Sequence, residues 1–138
     1  VTTFPTSGSA PELPEIRYTI EECLARYTRA IDNQDPETAA TLLANAVLHF
    51  KNNPPLQERR KIAAFFATMF PNPSRTRHLV SNLTIEPGTK RIEYNAIYQR
   101  WSVADPTAPV CEALGHYAGS FTPVAAGLIW SEHRVITR

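Results

Sequence analysis

From Ile16 the apolar positions Ile16, Ile20, Leu24, Tyr27 and Ile31 recur at intervals of three and four, the spacing that aligns one face of an α-helix. A long first helix to about Asn33 is predicted. Asp35-Pro36-Glu37 joins an N-cap acceptor to a proline at the first helical position, and Leu42, Leu43 and Ala46 supply the inner face of a short second helix. Ala46 to Phe50 reads as a brief strand, stopped by Asn52-Asn53-Pro54-Pro55. A third helix is expected from about Gln57 to Met69, with Ile62, Phe65, Phe66 and Met69 inward, Arg59, Arg60 and Lys61 outward, and Pro71 and Pro73 ending it. Beyond it the hydrophobic period shortens to that of a strand. Four strands are predicted, at His78 to Glu86, Arg91 to Val103, Val110 to Phe121 and Leu128 to Thr137. Pro87-Gly88, Asp105-Pro106 with Pro109, and the stretch from Pro123 to Gly127 make the turns between them.

Three helices followed by a meander of antiparallel strands is an α+β pattern in which a curved sheet wraps round the helices. Such a cone leaves a cavity of the mostly apolar kind that takes a small molecule. Residues 1–14, with Pro5, Pro11 and Pro14 among Thr, Ser and Gly, read as a flexible N-terminal arm ahead of a domain over 15–138. Residues 1–12 are expected to be dispensable for folding. Placing Ile97, Trp101, Val103 and Phe121 on the outer face of the sheet would leave an apolar patch, so a homodimer or higher homo-oligomer is expected.

Composition narrows the partners. The chain has 138 residues, enough for one core, and 14 Lys plus Arg against 13 Asp plus Glu, too even a balance for the basic face that binds nucleic acid. No apolar run is long enough to span a membrane, and Val1 to Ala10 lacks the basic and apolar regions of a signal peptide. Cys23 and Cys111 stand far apart with no CxxC pairing, which reads as two buried thiols in a cytoplasmic protein. No cluster with metal-ligand spacing and no glycine-rich phosphate loop is present, so neither a metal nor a cofactor is expected.

Two residues carry candidate chemistry. Asp32 ends the first helix, where the helix dipole disfavours a carboxylate, and His78 opens the first long strand. An imidazole braced by a carboxylate is an effective general base, because the carboxylate holds the ring tautomer and stabilises the imidazolium. Strand parity places Val80, Asn82 and Thr84 on the face of His78, so the Asn82-Leu83-Thr84 sequon is read as buried. Tyr94 and Tyr98 share one face of a strand, and with Tyr117 on the next they offer phenols to a developing oxyanion. His116 shares a strand face with Leu114 and Ala118 and is a weaker binding candidate; His49 and His133 are weaker again.

The runs Ala25-Arg26-Tyr27-Thr28-Arg29-Ala30-Ile31-Asp32-Asn33-Gln34-Asp35, Thr76-Arg77-His78-Leu79-Val80-Ser81-Asn82 and Glu132-His133-Arg134-Val135 resemble SnoaL-like domains of the nuclear transport factor 2-like superfamily. The resemblance extends over about residues 16–138. It implies a cone-shaped α+β barrel, with three N-terminal helices packed on a strongly bent antiparallel sheet that encloses a pocket. In the scytalone dehydratase and hexachlorocyclohexane dehydrochlorinase group, an Asp closing the first helix pairs with a His opening the long strand, and Asp32 and His78 match these positions. Tyr27 matches a first-helix tyrosine of steroid isomerases, but their basic Asp would fall near Lys51, where no carboxylate stands. Ile31 replaces a tyrosine that scytalone dehydratase has before its Asp, and Arg100 has Ser102 beside it where epoxide hydrolases alternate Arg with Asp. The expectation is a cofactor-independent lyase or isomerase acting on a small apolar, cyclic molecule, with His78 and Asp32 catalytic and Tyr27, Asn82, Tyr94, Tyr98 and His116 binding substrate. The alternative is a non-catalytic ligand-binding or subunit-interaction module of the same fold.

Overall fold

Helix α1 (Leu13–Asp32) opens with Pro14 in its first turn and Glu15 close behind, and carries Arg29 in its last turn, each suited to the helix dipole. Its buried stripe of Ile16, Ile20, Cys23, Leu24, Tyr27 and Ala30 lies against the rest of the core. The computed structural model containing it describes residues 1–6, 12–70 and 75–137. Helix α2 (Pro36–Leu42) starts from Asp35, whose carboxylate accepts from the Thr38 N–H at 3.1 Å and from the Thr38 hydroxyl at 2.6 Å. Strand β1 (Val47–Phe50) and helix α3 (Arg59–Met69) follow. Phe70 is extended, as a residue before proline must be; the predicted stop at Pro71 and Pro73 itself lies outside the described residues.

Strands β2 (Thr76–Glu86), β3 (Ile92–Ser102), β4 (Val110–Val124) and β5 (Gly127–Thr137) form the expected antiparallel meander. β1 joins β5 in parallel, so the sheet is mixed, with order β1-β5-β4-β3-β2, and it does not close. The architecture is the expected cone-shaped α+β fold. Its inner face is aromatic: Tyr94, Tyr98, Tyr117, Phe121 and Trp130 are buried there with Tyr27 of α1. Two rings of β3 cross β4 over glycines. A Cβ on Gly119 would sit 2.6 Å from the Tyr94 hydroxyl, and one on Gly115 would sit 2.5 Å from the Tyr98 ring, so any larger residue would displace a ring.

Three sequence expectations need correction. Phe121 is fully buried, because the register shift between Ser120 and Phe121 changes which side of the sheet it faces. Cys111 is exposed on the outer end of β4, while Cys23 is buried, where loss of solvation pushes its thiol up to about 12 and leaves it inert. The arm expected to hang free is tied down over its described part. Phe4 exchanges both backbone hydrogen bonds with Leu128, at 2.7 and 2.8 Å, and its ring packs edge-on against Phe121. The Thr2 N–H donates to the Asn45 side chain at 2.8 Å. Ser7 to Pro11 of the expected arm lie outside the described residues. No helix among the described residues is long and apolar enough to cross a membrane.

Candidate active site

Asp32 and His78 meet, 46 positions apart in sequence. α1 packs across β2, which brings the last carboxylate of the helix over the first turn of the strand. One Asp32 oxygen lies 2.6 Å from His78 Nδ1 and accepts the Thr76 hydroxyl at 3.0 Å; the other accepts the His78 backbone N–H at 2.9 Å. Three donors therefore converge on this carboxylate, which makes up for its place at the negative end of the helix dipole. The two side chains are only 8% and 10% exposed, so solvent does little to loosen the pair. With Nδ1–H donated to Asp32, the lone pair is on Nε2, which has no protein partner among the described residues.

His78 forms part of the wall between two hollows. On the outside, α1 and β2 border an open cleft of about 750 Å³ fringed by Arg17, Arg29 and Arg77, with Asp32 at its base. On the inside is a cavity of about 230 Å³ within the cone, walled by Tyr27, Phe66, Met69, Tyr98 and Tyr117 beside His78. The inner cavity is the better chemical site, because it is smaller than the cleft and sets the buried rings of Tyr27, Tyr98 and Tyr117 beside His78. Burial holds the phenols of Tyr27 and Tyr117 well above the usual tyrosine range, so both stay protonated. Neither hydroxyl has a protein partner among the described residues, which leaves two O–H donors for an oxyanion.

Of the other expected contacts, Tyr27 and Tyr98 line the inner cavity, although the Tyr98 hydroxyl is already bonded to Thr137 at 2.9 Å. Tyr94 lies deeper and touches neither hollow; its hydroxyl is 2.7 Å from His133 Nδ1 and accepts from Trp130 Nε1 at 2.9 Å. Asn82 does not share the face of His78. It sits at φ +57 in a bulge between Ser81 and Thr84, so Leu83 and Ile85 continue the inner face while Asn82 and Thr84 are exposed. Asn82 borders the outer cleft instead. His116 pairs with Ile97 and Ile136 on the outer face, on the side of the sheet opposite Tyr117 and the cavity.

Sequence reasoning missed Lys51, Arg100 and Glu112, all of which line the inner cavity. Arg100 was legible as the cross-strand partner of His78 once the register was known; Lys51, just past a short strand, had no periodic signal. Among the described residues no group of three or more His, Cys, Asp or Glu is gathered to hold a metal ion.

The sequence profile of the SnoaL-like domain matches residues 14–133. The chain belongs to the SnoaL-like family. Solved structures share the fold of this SnoaL-like protein at low identity. ActVI-ORFA from Streptomyces coelicolor is 15% identical with a TM-score of 0.78, over 88% of this chain and 96% of that one. A scytalone dehydratase-like protein of Novosphingobium aromaticivorans is 17% identical with a TM-score of 0.70, over 91% and 85%. The β-subunit of an aromatic-ring-hydroxylating dioxygenase-like protein of the same organism is 15% identical with a TM-score of 0.72, over 91% and 92%. At such identities the likeness establishes the fold alone. No curated protein sequence matches this SnoaL-like chain.

Proposed function

We propose that this SnoaL-like protein is a cofactor-independent lyase or isomerase for a small, largely apolar ring compound, with His78 as general base and Asp32 as its positioning partner. The observation that carries the reading is the 2.6 Å contact between Asp32 and His78 Nδ1 beside a cavity lined by buried tyrosines. Nε2 removes a proton from a carbon next to a carbonyl, and the released electron pair moves onto the carbonyl oxygen as an enolate. The hydroxyls of Tyr27 and Tyr117 donate to that oxygen, and the Asp32 carboxylate stabilises the new imidazolium. Collapse of the enolate then expels a leaving group from the β-carbon, which takes the proton from Nε2, or the proton returns at a different carbon of the conjugated system. The first outcome is an elimination and the second an isomerisation.

Exchange of α-hydrogens for deuterium tests the shared first step. With cyclohex-2-enone and 2-tetralone in D₂O, the wild type should accelerate exchange. His78→Ala and Asp32→Asn should each lower the rate by about 10²- to 10⁴-fold, with the double variant little worse than the worse single one. Wild-type exchange no faster than that of His78→Ala would sink the proposal in favour of a non-catalytic binding module.

A further inference from the structure

The wall of the inner cavity beside His78 carries two cationic side chains, Lys51 and Arg100. Arg100 is the cross-strand partner of His78 on the inner face of the β2–β3 pair, and paired strand positions put their side chains within about 5 Å of each other at the Cβ atoms. Its Nε is sealed from solvent with no hydrogen-bond partner, and its nearest carboxylate, Glu112, is 3.7 Å from Nη2, beyond hydrogen-bond distance. Lys51 lines the same cavity and has no ion-pair partner among the described residues, its ammonium lying 5.3 Å from the centre of the Phe50 ring. Lys51 is itself exposed where the cavity meets solvent, and partial loss of solvation first, then the charge of Arg100, hold its ammonium below the usual lysine range.

The backbone at Lys51 adds a second sign. Lys51 has φ +52, a left-handed conformation that a side-chain-bearing residue adopts at a cost, and its N–H is fixed to the Val135 carbonyl at 2.8 Å. Asn52 and Asn53, better suited to that conformation, follow immediately, yet the strained position is held by a lysine at the cavity. Two cations thus stand at one side of the hollow, where Glu112 lies beyond hydrogen-bond distance and the Asp32 carboxylate is taken up by His78 and Thr76.

We propose that the inner cavity selects a ring compound bearing a carboxylate, which Lys51 and Arg100 hold while the ring lies against Phe66, Met69 and Tyr117. The cavity has about 230 Å³, more than the roughly 150 Å³ apolar cavity that accepts benzene, so a single substituted ring fits. The Arg100 guanidinium gains a carboxylate within hydrogen-bond reach, which Glu112 at 3.7 Å is not, and the repulsion between Lys51 and Arg100 is relieved. The carboxylate docked beside His78 brings the neighbouring ring carbons toward Nε2. This inference specifies the substrate class for the cavity of the proposed lyase or isomerase and rests on that assignment of the site.

Binding of 4-fluorobenzoate and of its neutral isostere 4-fluorobenzamide to the full chain, followed by ¹⁹F NMR titration at low salt, tests it. The carboxylate should bind about tenfold more tightly than the amide, the margin of a charge-assisted hydrogen bond over a neutral one. Lys51→Met and Arg100→Gln should each shrink that ratio while changing amide affinity by less than about twofold, and Glu112→Gln should widen it. Lys51→Arg, which keeps the charge, should preserve it. An amide that binds as well as the carboxylate, a ratio unmoved by both Lys51→Met and Arg100→Gln, or no binding of either probe would overturn the inference. The outcome is separable from that of the exchange experiment. Carboxylate selectivity is an equilibrium that should survive in His78→Ala, whereas exchange into neutral ketones needs the base.

Discussion

His133 is fully buried in the middle of the aromatic layer, 4.7 Å from the Tyr27 ring between centres, with Nδ1 hydrogen-bonded to the Tyr94 hydroxyl at 2.7 Å. Its Nε2 has no partner among the described residues. Charging the ring there would put an imidazolium into a site with no carboxylate beside it, and loss of solvation accordingly lowers its pKa from 6.5 to about 3. Between those values the unfolded chain binds a proton that the folded chain refuses, so stability is full above pH 6.5 and falls as pH drops toward 3. The share due to His133 is of the order of a few kcal/mol over that window. In His133→Phe, urea unfolding between pH 7 and 4 should show a flatter decline than in the wild type. The Tyr94 hydroxyl keeps the Glu132 carbonyl as an acceptor at 3.3 Å, so the variant should fold. Equal slopes in the two proteins would show that the buried imidazole does not set the acid limb.

At the scale of elements, the chain's first residues behave as a short extra edge to the β4–β5 hairpin. Composition alone made them a free arm, since three prolines and no apolar period offer nothing to a core. Phe4 nevertheless finds the Phe121 ring and the backbone of Leu128. Removing residues 1–6 replaces both Phe4 backbone hydrogen bonds of Leu128 by water, at a net cost of about 0.5–1.5 kcal/mol for each bond. A lower urea midpoint for the truncated chain is expected; an unchanged midpoint would mean that the docked segment adds nothing. The bulge at Asn82 belongs to this scale too. One positive-φ residue in β2 exchanges the faces of everything after it, and so an asparagine expected inside stands outside.

For the whole molecule, the outer face of the sheet is the unpaired surface. Ile97 and Trp101 are on it as expected, but the exposed apolar residues beside them are Leu79 at 55%, Leu114 at 56% and Ile136 at 37%, where Val103 and Phe121 had been anticipated. We propose that a second copy of the chain covers this patch, because exposed apolar side chains gathered on one sheet face, between Gln99 and His116, invite self-association. Sedimentation at micromolar concentration should show a species of twice 15.4 kDa, and Leu114→Lys should shift it to the monomer. A wild type that stays at the single-chain mass at every concentration would refute it.

Hydrophobic spacing by itself determined the order and approximate bounds of the three helices and five strands among the described residues, because burial of one face acts locally and writes its period into the residues. Asp32 stood out by its place at a helix C-terminus and His78 at the head of a strand, and the resemblance to SnoaL-like domains paired them. Whether they touched was decided by how α1 crosses β2. Other outcomes were likewise tertiary. The parallel docking of β1 on β5, the side of the sheet taken by Phe121, and the gathering of Lys51 and Arg100 at one cavity each depend on strand register and bulges. A one-residue change of register moves a side chain from cavity to surface without altering the local pattern, which is why only the assembled sheet could place them.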